Sequence, residues 1–331
     1  MITEAVLVLG AGSWGTALAL ALSRNSHDVY LWDINVELIN DLKKDKSNKR
    51  YIPDVTFPDN LIPIESINEA PEDLKYIVNA VPCHGLRSSL QLLESFTGIQ
   101  ICLASKGFES GTQKLNHLVV EEEINGVSVA ILSGPSFAKE VAKGLPTAVT
   151  IASKDINTAK TFSDLFHSDV FRIYTHDDYI GVQVGGAVKN VMAIAAGIAD
   201  GLGFGSNTRS ALITRGLHEI MQLGLAMGAK QETFMGLAGL GDLVLTCTDN
   251  QSRNRSLGLL LAEGNSIEQS QEKIGQAIEG YKTAFEVGEL AKKYNIEMPI
   301  TEQVIKVLNG DIEPKQAVHS LLTREARSEL D

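Results

Sequence analysis

A chain of 331 residues with 44% hydrophobic content, 21% charged content and a formal net charge of −12 reads as a globular protein long enough for two domains. The acidic balance argues against a nucleic-acid-binding surface, which needs clustered Lys and Arg. It leaves room for a small phosphorylated ligand, because a few cations converging in one cleft overrule the charge of the surface.

Cys83, Cys102 and Cys247 stand apart, with no CxxC pair and no matching His spacing. Neither a disulfide framework nor a metal site is expected, and a reducing compartment is. The chain runs almost at once into AVLVLG, from Ala5, which breaks at Gly10-Ala11-Gly12 and lacks the basic and apolar regions of a signal peptide. No stretch reads as long enough to span a bilayer, so the expectation is a cytoplasmic protein without membrane insertion.

Short apolar, β-branched runs follow in order at residues 5–9, 29–32, 76–80, 100–104, 129–132, 148–151 and 171–174. Amphipathic segments such as 16–23, 36–43 and 158–166 lie between several of them. This alternation predicts an α/β fold, a Rossmann-type doubly wound parallel sheet. Residues 47–61, with Pro53 and Pro58, read as an irregular excursion. Beyond about Tyr179 the strand runs stop, and helical periodicity covers 184–199, 213–227, 284–294 and 300–308. Glycine clusters at 201–205 and 236–241 should interrupt these helices. The expected division is a dinucleotide-binding domain over 1–177 and an all-α domain for substrate and dimerisation over 178–331.

Gly10-Ala11-Gly12-Ser13-Trp14-Gly15 is a GxGxxG directly after a strand and directly before a helix. Gly10 permits the tight turn, Gly12 lets a pyrophosphate approach the backbone, and Gly15 lets helix and strand pack closely. The pyrophosphate would sit on free N–H groups at the helix start, near Ser13 and Trp14. Asp33 ends the next strand, where a carboxylate binds the adenosine ribose and repels a 2′-phosphate, favouring NAD over NADP. It also reads as an N-cap for the helix that follows.

Other polar groups fall at strand ends or out of pattern. Lys106 follows the 100–104 strand, and Ser136, in the turn after 129–132, is placed to cap a helix; a surface cation and a simple cap are the plainer readings. Lys189 is different, since it interrupts a strongly apolar helical stretch just after Gly185 and Gly186. Paired glycines are costly in a helix unless something approaches closely, and a desolvated lysine beside another cation suits acid–base work near neutral pH. A lysine snorkelling at a helix edge is the alternative. Asp242 and Thr246 stand four apart and would share a helix face. Arg253, flanked by Ser252 and Asn254, offers a fork that fits a phosphate, although Ser252 also reads as a cap.

The chain resembles the bacterial NAD(P)-dependent glycerol-3-phosphate dehydrogenase family over essentially its whole length. The resemblance rests on GAGSWGTALA from Gly10, Lys106-Gly107, SGPSFAKE from Ser133, GGAVKN from Gly185, GLGDLVLTCTDNQSRNR from Gly239 and EMPITEQV from Glu297. It implies hydride transfer between dihydroxyacetone phosphate and glycerol 3-phosphate, feeding glycerophospholipid synthesis, with Lys189 as the proton donor or acceptor. It assigns Lys106, Gly134, Ser136, Asp242, Ser252, Arg253 and Asn254 to the substrate, with Asn190 and Thr246 beside it. Ser13, Trp14, Lys106, Ala138, Arg253, Ala277 and Glu279 become contacts to NAD or NADP, and no metal is needed. Many NADP-using relatives carry His or Arg just after the second strand, whereas this chain reads Trp32-Asp33-Ile34-Asn35. A homodimer is expected for such an enzyme. Hydroxyacid or ketopantoate-type reductases, which also use a helix lysine, and a non-catalytic dinucleotide sensor are the competing readings.

Overall fold

The computed structural model describes residues 3–325, so the first two and the last six residues of the expected domains lie outside the described residues. In the first half the chain runs β1 (Ala5–Leu9), α1 (Ser13–Arg24), β2 (Asp28–Trp32), α2 (Val36–Asp45), β3 (Ser47–Asn48), β4 (Ile52–Thr56) and β5 (Leu61–Ile64). It continues through β6 (Tyr76–Asn79), α3 (Leu86–Gln91), β7 (Gln100–Leu103), α4 (Asn116–Glu123), β8 (Ser128–Ser133), α5 (Ala138–Lys143), β9 (Thr147–Ser153), α6 (Ile156–Phe166) and β10 (Phe171–His176).

Eight strands form one sheet in the order β10-β9-β8-β7-β6-β1-β2-β5. β1 is apolar throughout because both faces of the sheet are covered. Val6 and Val8 join the core cluster that contains α1, while Leu7 and Leu9 join the one that contains α3, as the alternation of side chains along a strand requires. The chain builds outward from β1 through β2 and β5, then returns to place β6 on the other side of β1. That reversal opens a crevice at the carboxyl ends of β1 and β6, the place where open α/β sheets bind ligands.

Three details depart from the sequence expectation. β9 runs antiparallel to β8, so the sheet is mostly rather than wholly parallel. The six-residue α5, about 9 Å long, is too short to carry the chain back along β8, which spans roughly 20 Å. The chain therefore turns at the crevice end and keeps Gly134, Ser136 and Ala138 there. Residues 47–61 are not irregular: β3 and β4 pair with each other. β5 adds to the sheet beside β2, and its Pro63 is tolerated because β5 is an edge strand.

The second half is helical: α7 (Tyr179–Gly201), α8 (Ser206–Ala226), α9 (Gln231–Phe234), α10 (Asp242–Thr248), α11 (Arg253–Ala262), α12 (Ile267–Ile274), α13 (Glu279–Tyr294), α14 (Pro299–Asn309) and α15 (Pro314–Leu322). The first glycine cluster does separate α7 from α8. The second forms a wide π-type turn, Leu237–Gly241, that runs straight into α10. α7 corrects another expectation, because by length and composition it is apolar enough to cross a membrane. Its most apolar window is wholly buried inside the fold, and a helix apolar on every side is what the centre of a helical domain calls for. α11 lies directly against it. A methyl group at Gly197 would come within 2.1 Å of the Arg255 carbonyl oxygen, which is how Ser252–Asn254 reach the neighbourhood of Lys189.

Candidate active site

The crevice floor is the glycine loop between β1 and α1. Gly10 has φ +97°, a left-handed conformation that glycine adopts without strain. A methyl at Gly15 would stand 1.8 Å from the Gly10 carbonyl oxygen, whereas one at Gly12 would meet nothing within 4 Å. Gly12 caps α1 without any side-chain hydrogen bond, so the first N–H groups of the helix have no intrahelical acceptor and face that open space.

Asp33 accepts from the Ala11 N–H at 2.7 Å and from the Asn35 N–H at 2.9 Å. It is not the cap of α2. Asn35 holds that position and accepts from the Leu38 N–H, while Asp33 braces the glycine loop from the end of β2. Trp14 Nε1 donates to the Ala104 carbonyl at 3.0 Å, tying the start of α1 to the strand end that carries Lys106. Ser13 Oγ donates to Gln276 Oε1 at 3.2 Å, a direct link from the glycine loop to the helical half.

The second feature is a buried cluster of charge. Lys189 projects from the middle of α7, only 6% exposed, and Asp242 at the start of α10 is 1% exposed. Lys189 Nζ donates to Asp242 Oδ1 at 2.5 Å and to Thr246 Oγ1 at 2.9 Å. Lys106 Nζ donates to the other carboxylate oxygen of Asp242 at 2.7 Å and to the Gly134 carbonyl at 3.1 Å. Asp242 and Thr246 do share a helix face, and the Thr246 hydroxyl donates back to the Asp242 carbonyl at 2.6 Å. Burial drives the Lys189 pKa down to about 8, opposed by Asp242 and assisted by Lys106. The paired glycines have their explanation as well. A methyl at Gly185 would come 2.6 Å from the Ala238 carbonyl oxygen, and one at Gly186 would come 2.5 Å from Ser133 Oγ.

Around this cluster the remaining residues fall into distinct places. Asn254 Nδ2 donates to Asn190 Oδ1 at 2.8 Å, and Asn254 Oδ1 accepts from the Gly280 N–H at 2.9 Å. Ser252 caps α11 by accepting from the Arg255 N–H. Arg253 follows in the first turn, exposed, and no hydrogen bond or ion pair engages it among the described residues. Ser136 does not cap α5, whose cap is Phe137; its hydroxyl donates instead to the Gly134 carbonyl at 3.0 Å. Ala138 opens α5 and packs on the core of the first half. Glu279 begins α13, its pKa raised by burial and held back by the charges of Arg253, Lys106 and Lys189. Ala277 is exposed in the segment before it.

Sequence reasoning missed Asn48, Asn116 and Gln276. Asn48 sits inside the segment read as irregular. Asn116, at the start of α4, donates to the Ser105 carbonyl at 3.4 Å beside Lys106. Gln276 lies in a short connection with no periodicity to flag it.

Comparison with known proteins adds the family. Residues 5–159 match the family model described as the NAD-dependent glycerol-3-phosphate dehydrogenase N-terminus, and residues 178–319 match the corresponding C-terminus. The chain belongs to the NAD-dependent glycerol-3-phosphate dehydrogenase family. It is 49% identical over 331 residues to the glycerol-3-phosphate dehydrogenase [NAD(P)+] of Pseudoalteromonas translucida, covering 99% of each chain. With that of Nitrosococcus oceani it shares 51% over 326 residues, covering 98% of this chain and 95% of the relative. The crystal structure of the Coxiella burnetii glycerol-3-phosphate dehydrogenase superposes with a TM-score of 0.94 at 45% identity, covering 97% of this chain and 99% of that one.

Proposed function

We propose that the chain interconverts dihydroxyacetone phosphate and sn-glycerol 3-phosphate with NAD(H) or NADP(H), using Lys189 as general acid and base. The observation that carries the proposal is the buried Lys189–Asp242–Lys106 cluster, which lies beside a glycine loop whose helix N-terminus is open. The residues fit a dinucleotide: Gly12 leaves the space a pyrophosphate needs, and the α1 N-terminus supplies donors and a favourable dipole. Gly10, Gly15, Ser13 and Trp14 shape that cradle, with Ala138, Ala277, Glu279, Arg253 and Lys106 along the rest of the crevice. When bound, the nicotinamide supplies the hydride.

The chain's own residues then handle charge and orientation. Two ammonium groups share one carboxylate, so the cluster carries net positive charge where the C2 oxygen of the triose becomes negative. Lys189 donates its proton to that oxygen in the reductive direction and takes it back in the oxidative one. Asp242 and Thr246 position Lys189, and Lys106 adds a second cation on the same carboxylate. The phosphate belongs at the α11 N-terminus, where Arg253 offers a fork and Ser252 keeps a hydroxyl hydrogen free. Gly134, Ser136, Asn190 and Asn254 line the path between. Holding the phosphate away from the reacting carbon turns its binding into orientation.

Asp33 at the β2 end, followed by uncharged Ile34 and Asn35, favours NADH over NADPH. In this reading residues 1–177 hold the dinucleotide, and residues 178–331 supply the lysine and join two copies into a homodimer. The free thiols suit a reducing cytoplasm, and the product suits glycerophospholipid synthesis.

The test follows absorbance at 340 nm with dihydroxyacetone phosphate and each cofactor. Oxidation of either reduced cofactor supports the reaction, and the ratio of kcat/KM values for NADH and NADPH decides the preference. No turnover despite dinucleotide binding would sink the triose assignment. Light scattering at a one-chain mass would sink the dimer.

A further inference from the structure

Ala11, midway between Gly10 and Gly12, is gripped through both of the peptide groups that flank it. Its N–H donates to Asp33 Oδ2 at 2.7 Å. Its carbonyl accepts from Asn48 Nδ2 at 2.9 Å, and the same amide nitrogen donates to Thr16 Oγ1 at 2.8 Å. The Thr16 hydroxyl turns its own hydrogen to the Ala11 carbonyl at 3.3 Å, and Asn48 Oδ1 accepts from the Tyr51 N–H at 3.3 Å. Asn48 and Thr16 are both 0% exposed, so water does not compete for these bonds. Asp33 reaches Ala11 from the end of β2, and the other partners lie on α1 or in the β3–β4 segment.

Glycines give a loop the freedom to meet a pyrophosphate, and the same freedom lets it wander. Neither Gly10 nor Gly12 has a side chain by which it can be held. The two peptide groups flanking Ala11 are therefore the available handles, and polar side chains from separate elements hold them, Asp33 the first and Asn48 the second. Asn48 reaches it from the short β3 strand, which pairs only with β4 and contributes nothing to the main sheet.

We propose that Asn48 is a positioning residue for the dinucleotide: it fixes the plane of the Ala11–Gly12 peptide and thereby the aim of the N–H groups at the start of α1. The proposal rests on the reading of the loop as a dinucleotide cradle. Because Asn48 acts on the loop and not on the ribose, it serves NADH and NADPH alike.

Asn48→Asp tests this, since the replacement keeps shape while turning a donor into an acceptor that faces the Ala11 carbonyl. Calorimetric titration of the whole protein with NADH and with NADPH should show both dissociation constants weakened by on the order of tenfold or more. The kcat at saturating cofactor and the KM for dihydroxyacetone phosphate should stay near those of the unmodified chain. A lower melting temperature with unchanged dissociation constants would make Asn48 a brace of the fold alone and overturn the proposal. If Asn48→Asp does not fold, Thr16→Val, which removes the hydroxyl on which Asn48 leans, carries the same two outcomes. The unmodified chain is the control that separates the readings. Its failure to bind either dinucleotide would overturn the cradle, whereas tight binding by it and by the variant alike would overturn only the role of Asn48.

Discussion

The two ends of the crevice are built on opposite principles. At the glycine loop the working surface is backbone, with an open helix N-terminus at Gly12 and side chains such as Asp33 serving mainly to hold peptide groups in place. At Lys189 the working surface is side chains, with two ammonium groups and a carboxylate gathered where solvent hardly reaches. The first arrangement is fitted to grip a charged ligand without being altered by it. The second maintains buried charges at a cost, and their separation from water makes them chemically useful. Changes at the loop should therefore move affinity, and changes at the cluster should move rate and stability together.

The largest expected effect is at the cluster. Lys189→Ala should lower kcat for dihydroxyacetone phosphate reduction by on the order of 10²–10⁴-fold while leaving the NADH dissociation constant nearly unchanged. Steady-state kinetics beside calorimetry would check this, and a near-normal kcat in a folded variant would remove lysine from the mechanism. Asp242→Asn comes next. It leaves two buried ammonium groups without their shared counter-charge, and breaking such a pair costs about 3–5 kcal/mol. Chemical denaturation should show that loss at neutral pH and a smaller one at pH 9, where Lys189 has shed its proton.

The same contrast explains what the sequence disclosed. The glycine loop is a contiguous six-residue signal with a strand before it and a helix after it, so local reading suffices. Asp242 is separated by 53 residues from Lys189 and by 136 from Lys106, and only the fold brings them together. What pointed to Lys189 was its misfit within an apolar helix; Lys106 at a strand end and Asp242 and Thr246 at helical spacing were legible singly, and their roles came from the family resemblance. Asn48 and Gln276 left no trace, because a single polar residue in a two-residue strand or a short connection has no period to break. The antiparallel β9 was hidden for another reason. A buried strand has the same apolar pattern in either direction, and the length of α5 settles which one is adopted. Asp33 and Ser136 show the limit of capping rules, since a cap-forming residue near a helix start does not say which of its neighbours takes the cap.

Two glycines sharpen the comparison from the other side. Gly15→Ala forces a methyl against the Gly10 carbonyl oxygen, and overpacking of this kind costs about 1–3 kcal/mol, so both melting temperature and dinucleotide affinity should fall. Gly12→Ala meets only open space, so its cost is that of alanine being a poorer helix cap than glycine, on the order of 0.5–1 kcal/mol. Its melting temperature should fall less than that of Gly15→Ala while NADH binding weakens. Equal losses of affinity and stability in both variants would mean that the space at Gly12 is not where the pyrophosphate lies.

The smallest effect is the most specific to the cluster, and it is read in pH. Burial, more than any neighbour, brings Lys189 from an ordinary 10.5 down to about 8. In the proposed mechanism reduction uses the charged ammonium as proton donor, so its rate should be flat below about pH 8 and fall roughly tenfold per unit above it. Oxidation of glycerol 3-phosphate needs the neutral amine, so its rate should rise up to about pH 8 and then level off. Stability has its own sign. Between about pH 8 and 10.5 the unfolded chain holds a proton on this lysine that the folded chain has released, so this group makes the fold more stable as pH rises through that window. Lys106→Met removes the neighbouring cation that helps lower the Lys189 pKa, so the breaks in both rate profiles should move to higher pH while staying below the ordinary 10.5, because burial is the larger cause. A break that stays in place would show that Lys106 serves the substrate without tuning its neighbour.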